Sequence, residues 1–146
     1  MKALSLWQPW ATLVAIGAKK YETRSWATSY RGPLAIHAAK RFSLPERQLA
    51  LSGWFRFRLT EAGYNHTKDF PRGAYVAVVD LVDVLPAEIV KPSLDVVELS
   101  FGNFSPGRFA WKLANLRRIQ PVPARGYQGL WNLDQEVIVQ LERAVL

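Results

Sequence analysis

Gly17-Ala18-Lys19-Lys20-Tyr21-Glu22-Thr23-Arg24 follows directly on an amphipathic segment and sets charged side chains at the spacing G-x-K-x-x-E-x-R. Gly17 suits a helix exit, where a residue without Cβ takes a left-handed turn at no steric cost. An extended run over 20–26 places Glu22, Arg24 and Trp26 on one face, because strand side chains alternate. A carboxylate beside a guanidinium offers an acceptor and a donor fork. That pair suits the hydrogen-bonding edge of a nucleobase, or a base together with its phosphate. Trp7 and Trp10 upstream and Trp26 downstream supply flat apolar faces, and stacking a base on an exposed one is worth about 1–3 kcal/mol. The same residues also fit a plain salt-bridged strand edge, so spacing alone leaves both readings open. Lys19 is the candidate to activate an attacking group or to hold an oxyanion.

Outward from this segment, residues 2–6 read as a strand. Residues 8–16 read as a helix with Gln8 as cap, Pro9 in its first turn, and Trp10, Leu13 and Val14 on one face. After Arg31-Gly32-Pro33 a strand runs over 34–39. Ser43-Leu44-Pro45-Glu46 has the pattern of a capping box and opens one helix to about Ala62, with Leu51, Phe55 and Leu59 toward the core. Valine-rich Ala74–Leu85 is the strongest strand. Residues 86–106 read as loop with a helical turn near 93–99. A long strand follows over Arg108–Gln120, broken by Pro121 and Pro123, then a short strand over 129–133 and a helix capped by Asp134 running to Leu146. Strands interrupted by about three helices predict an α+β fold: a small, curved, mixed sheet closed into a barrel, with an open sandwich as the alternative.

Length fits a single domain over 1–146, and 49% hydrophobic residues suffice for a core. Nineteen Lys and Arg against twelve Asp and Glu give a net charge of +7, which favours polyanionic partners. There is no cysteine, which excludes disulfides and thiol catalysis and fits a reducing cytoplasm. Two histidines in no ligand spacing give no metal site, and no dinucleotide or phosphate-loop motif implies a cofactor. No apolar run approaches the ~20 residues that span a membrane.

Other candidates are spread along the chain. Trp7 and Gln8 can contact a ligand. His37 lies mid-strand among small apolar residues, where a histidine is more often packed than reactive. Lys40 and Arg41 end that strand, within reach of a phosphate. Glu98 is the candidate second carboxylate, opening the aromatic, glycine-bearing loop through Phe101, Asn103 and Arg108 that could close over a pocket. Residues 123–131 form another basic, aromatic turn.

Leu4-Ser5-Leu6-Trp7-Gln8-Pro9-Trp10-Ala11, Gly17-x-Lys19-x-x-Glu22-x-Arg24-x-Trp26, Arg31–His37, Pro71-Arg72-Gly73 with Val76–Val84, and Gly129–Leu133 together resemble the activating signal cointegrator homology (ASCH) family. The resemblance implies a PUA-like pseudo-barrel with helices at its openings and a cleft lined by 17–24. It implies binding of RNA or DNA, RNA before DNA. In some small bacterial members it implies hydrolysis of N4-acetylcytidine with a lysine in the pocket, which matches Lys19. Those hydrolases carry a threonine where this chain has Glu22. Two functions follow as expectations. One is an amidohydrolase of N4-acylated cytosine nucleosides or related amides, in which Lys19, Glu22 and Glu98 do the chemistry. The other is a binding module in which Glu22 and Arg24 read a base while Lys40, Arg41 and Arg108 hold phosphate. Trp26, Arg31 and His37 complete the ligand-contact set that the matching motifs imply.

Overall fold

A computed structural model describes all residues from Met1 to Leu146. Six strands form one sheet: β1 (Lys2–Leu6), β2 (Tyr21–Arg24), β3 (Gly32–Ala38), β4 (Ala74–Pro86), β5 (Phe109–Pro123) and β6 (Leu130–Asn132). Their spatial order is β2-β5-β4-β3-β1-β6. Only β1 and β3 run parallel; every other neighbouring pair is antiparallel. The sheet curls into a half-barrel, and its edge strands β2 and β6 do not pair. Curling is driven from β4 and β5, whose pairing shifts register at three places, since each bulge sharpens local twist.

The helices are α1 (Trp10–Ala15), α2 (Leu44–Ala50), α3 (Gly53–Glu61), α4 (Ala87–Val90), α5 (Val96–Ser100) and α6 (Gln135–Arg143). That is twice the three expected, for two reasons. The segment 43–62 breaks at Ser52, which is extended, and at Gly53, whose φ is +54°. Leu51, expected in the core, is therefore 59% exposed, while Phe55 and Leu59 are buried as expected. Ser43 donates to the Glu46 carboxylate at 2.6 Å instead of capping a backbone amide. The stretch 86–106 holds two short helices rather than one turn in a loop. Pro121 does not break β5: the strand runs through it and ends at Pro123, which lies opposite Ala74.

α1 is the centre of the packing. Ala11, Val14 and Ala15 lie against Leu4, Leu6, Ile36 and Trp111 of the sheet. Leu13 points the other way, into a layer with Phe42, Phe55, Phe70 and Phe101. A helix covered on both sides carries no charge, and none of its six residues is charged. On the opposite face of the sheet, Ala3, Ala35, Tyr75 and Ile119 pack against Leu141 of α6. No helix is long and apolar enough to cross a membrane.

Candidate functional site

α1 ends in a Schellman turn. Gly17 takes φ +78°, its amide bonds the Val14 carbonyl at 3.0 Å, and the Ala18 amide bonds the Leu13 carbonyl at 2.9 Å. The turn carries Lys19 inward: its side chain is 1% exposed. Lys19 Nζ donates to the Phe101 carbonyl at 3.2 Å and lies 3.5 Å from Glu22 Oε1. Trp10 Nε1 donates to the same carbonyl at 2.9 Å. A buried ammonium is tolerated only where oxygen atoms replace its water, and Phe101 and Glu22 supply them.

Glu22 joins two cations. Its Oε2 accepts from Arg24 Nε at 3.0 Å and lies 3.0 Å from Arg24 Nη2. Nη2 also donates to the Ser5 carbonyl at 2.9 Å. Glu22 and Arg24 do share one face, as alternation requires, and both line a cavity of about 600 Å³. Ser5, Trp7, Trp10, Phe55, Phe101, Asn103 and Arg108 form the rest of the wall that bears on its chemistry. Trp7 is 47% exposed, with the Arg41 guanidinium 4.1 Å over its ring. Arg41 Nε also pairs with Glu46 at 3.4 Å, which fixes the cation above the indole.

A second cavity, of about 1210 Å³, shares Ser5, Trp7 and Arg24 with the first. Trp26, His37, Lys40, Arg125, Tyr127 and Gln128 line it. His37 is 2% exposed. Its Nε2 lies 2.8 Å from the Ala124 carbonyl, and its Nδ1 lies 3.0 Å from Ser5 Oγ. A carbonyl only accepts, so the proton sits on Nε2 and Nδ1 accepts from the Ser5 hydroxyl. Burial pushes the imidazole below its ordinary titration range, and the Ala124 carbonyl partly offsets this.

Several expected site residues lie elsewhere or are already occupied. Gln8 is fully buried: Oε1 accepts from the Thr12 amide at 3.0 Å and Nε2 donates to the Pro71 carbonyl at 2.7 Å, so it caps α1 and reaches no ligand. Glu98 lines neither cavity. Its carboxylate accepts from the Lys20 amide at 3.0 and 3.2 Å and from the Tyr21 amide at 3.3 Å, anchoring α5 to the start of β2. Arg31 lies apart from both cavities, bonded to the Thr28 carbonyl and 3.7 Å from Asp83. Lys19 stands behind the first cavity, not in its wall. Thr23 Oγ1 accepts from the Asn103 amide at 3.1 Å, and the Thr23 carbonyl accepts from Arg108 at 3.1 Å. Arg125, Tyr127 and Gln128 come from the basic, aromatic turn over 123–131, and Ser5 alone was not expected. Ser5 becomes visible only once β1 and β3 are known to pair in parallel with Ser5 opposite His37.

A family model described as the ASCH domain matches residues 4–123. Activating signal cointegrator 1 of Homo sapiens is 31% identical over 134 residues, covering 92% of this chain and 22% of that protein. The Mus musculus counterpart is 29% identical over 135 residues with the same coverage, so the chain spans about a fifth of these relatives. The crystal structure of an ASCH protein from Zymomonas mobilis aligns over 99% of this chain and 95% of its own, with a TM-score of 0.61 and 13% identity. A single-substitution variant of that protein aligns with the same TM-score at 14% identity, over 99% and 98% of the two chains. These likenesses agree with the PUA-like fold.

Two outcomes test this arrangement. Glu22→Ala leaves Lys19 buried with a lone carbonyl, whereas Lys19→Met leaves Glu22 paired with Arg24. Denaturant unfolding should therefore show the Glu22→Ala loss at about 3–5 kcal/mol and the Lys19→Met loss well below it; equal losses would refute the dependence of Lys19 on Glu22. Glu98 supplies the second. Burial pushes its carboxyl above the ordinary range, Asp95 adds to this, and the Lys20 amide, Lys19 and the Tyr21 amide pull it back. The folded state then holds that proton to higher pH than the unfolded chain, so its contribution to stability falls as pH rises through the window between the two pKa values. As pH rises above the ordinary carboxylate range, wild type should lose stability relative to Glu98→Gln. A relative gain would mean that the amides, not burial, dominate.

Proposed function

This chain belongs to the ASCH domain family, and on that footing we propose that it recognises a nucleobase within a single strand of nucleic acid. One observation carries the proposal. A carboxylate and a guanidinium, Glu22 and Arg24, stand side by side in the wall of a cavity lined by Trp7, Trp10 and Phe101. Glu22 keeps lone pairs for an exocyclic amine, as carboxylates do for the amine of cytosine. The unshared Arg24 Nη1 serves a carbonyl or ring acceptor. Lys19 and Arg24 hold the carboxylate from two sides, so little side-chain entropy remains to be lost on binding.

Next to this cavity lie the cations a strand requires. Lys40 and Arg125 line the second cavity and Arg41 stands over Trp7. A nucleotide seated in the first cavity would send its neighbour's phosphate across the shared wall of Ser5, Trp7 and Arg24. Phosphate contacts of this kind supply affinity and salt dependence, while Glu22 and Arg24 supply the choice of base. The overall charge of +7 acts in the same direction. RNA is the preferred partner, since unpaired bases stacked on aromatic and guanidinium planes are its usual mode of recognition.

Hydrolysis of N4-acylated cytosine is a finer reading of the same pocket. It draws on the match of Lys19 to the family's small hydrolases, but its required groups are committed elsewhere. Lys19 is sealed behind Glu22, Thr23 Oγ1 is held by Asn103, and Glu98 anchors α5. Recognition without turnover through these groups is therefore the function the geometry supports best.

Titrating short single-stranded RNA against tryptophan fluorescence at two salt concentrations tests the proposal. Glu22→Gln should weaken binding of cytidine-containing strands about 5- to 100-fold and leave the salt slope unchanged. Lys40→Glu with Arg41→Glu should weaken all strands and flatten the slope by one to two charges. N4-acetylcytidine incubated with the same protein should persist. Turnover that disappears in Lys19→Ala would replace the proposal with amidohydrolysis.

A further inference from the structure

The geometry of Ser5 and His37 points to a nucleophile and its general base, and we infer that the second cavity carries an acyl-ester hydrolase activity. Ser5 and His37 face one another across the parallel β1–β3 pair, each in register with the other. Ser5 Oγ lies 3.0 Å from His37 Nδ1, and His37 Nε2 lies 2.8 Å from the Ala124 carbonyl. That carbonyl does the work an aspartate does in a hydrolase triad: it fixes the tautomer and leaves the lone pair on the nitrogen that meets the hydroxyl.

The ring is held so that it cannot turn away. Tyr75 and Trp131 pack edge-on against it at 5.4 and 6.0 Å between centroids. Gly126 closes the remaining side so tightly that a Cβ there would fall 2.5 Å from His37 Cε1, 2.6 Å from Nδ1 and 3.3 Å from Ser5 Oγ. Burial keeps the imidazole neutral near pH 7, the form a base requires. Ser5 is not sealed in. It lines both cavities, and the Arg24 guanidinium stands beside it.

The step balances with water as the only co-reactant. Ser5 Oγ attacks the acyl carbon and its proton passes to His37 Nδ1. The carbonyl electron pair moves to oxygen, where Arg24 Nη1 supplies positive charge. The oxyanion collapses, the bond to the alcohol oxygen breaks, and Nδ1 returns the proton to that oxygen. Water then attacks the acyl-serine with Nδ1 again as base, which releases the carboxylic acid and restores the hydroxyl. The lining of the cavity sets the substrate class. Trp26 and Tyr127 offer aromatic faces and Lys40 and Arg125 offer cations. The alcohol portion therefore carries both an aromatic ring and a negative charge, as an O-acylated nucleotide does.

This activity shares Arg24 with base recognition but uses Ser5 and His37, which base recognition does not, and covalent labelling of Ser5 reads it without any nucleic acid. Folded protein is treated with a fluorophosphonate, and peptide mass spectrometry locates the adduct. Hydrolysis of p-nitrophenyl acetate is followed in parallel. Wild type should carry the adduct on Ser5, and the reaction should vanish in denaturant. Ser5→Ala, which removes one oxygen atom, should lose both the adduct and ester turnover. His37→Gln, with its fold checked by circular dichroism, should label at least about 100-fold more slowly. No adduct on Ser5 in folded wild type overturns the inference. So does turnover that survives Ser5→Ala, or labelling of Ser5 at an equal rate in folded His37→Gln.

Discussion

The buried ammonium of Lys19 is the interaction on which the rest of the site depends. It joins three pieces of chain that are distant in sequence: the turn after α1, strand β2, and the loop that begins at Phe101. Such a charge is costly unless oxygen atoms surround it. The Phe101 carbonyl therefore cannot leave, and Trp10 bonds the same oxygen from α1. Glu22 cannot leave either, and Arg24 holds its second oxygen and reaches the Ser5 carbonyl of β1. Satisfying one ammonium thus fixes the floor, one wall and the polar pair of the first cavity. Catalysis through Lys19 and rigid presentation of Glu22 make opposite demands on this side chain, since a reacting lysine must reach the cavity and a supporting one must stay behind it.

The two cavities form one system because Ser5, Trp7 and Arg24 belong to both. Arg24 spends Nε and Nη2 on Glu22 and the Ser5 carbonyl, which orients the guanidinium without neutralising it. Trp7 is held by Arg41 on one ring face, so the indole is positioned while half of it stays open. On the other side of the shared wall, His37 is clamped by Gly126, Tyr75 and Trp131. The polar groups around this wall are preorganised, and preorganised groups bind or react at lower cost than mobile ones.

Much of this was legible from the residues. Gly17 marked the end of α1, and alternation put Glu22 and Arg24 on one face. The valine-rich run located β4, and the run over 8–16 located the buried helix, although Leu13 and Val14, expected on one face, pack on opposite sides of it. What could not be read depends on partners far away in sequence. Glu98 looked like a free carboxylate, yet it meets the amides of Lys20 and Tyr21, 78 and 77 positions away. Gln8 could cap or contact a ligand, and the Pro71 carbonyl decides for the interior. Lys19 gave no sign of being sealed, because Phe101 is 82 positions distant. The pairing of Ser5 with His37 needed the parallel register of β1 and β3, and parallel neighbours leave no local turn signal. The break at Ser52 and Gly53 was missed because apolar Phe55 and Leu59 continue the helical period across it.

Membership of the ASCH family and a PUA-like fold place this chain among proteins with a common scaffold, and what the scaffold does is decided by its side chains. The central claim is that the Glu22–Arg24 cavity receives a base. The most direct measurement is an NMR titration of the isotope-labelled protein with a short single-stranded RNA, followed through backbone amides and tryptophan indoles. A base seated in that cavity shifts resonances at Ser5–Trp7, Glu22–Arg24 and Phe101–Asn103, with the Trp7 indole among the largest. Saturating shifts confined to the α6 face, with these residues unmoved, would contradict that claim.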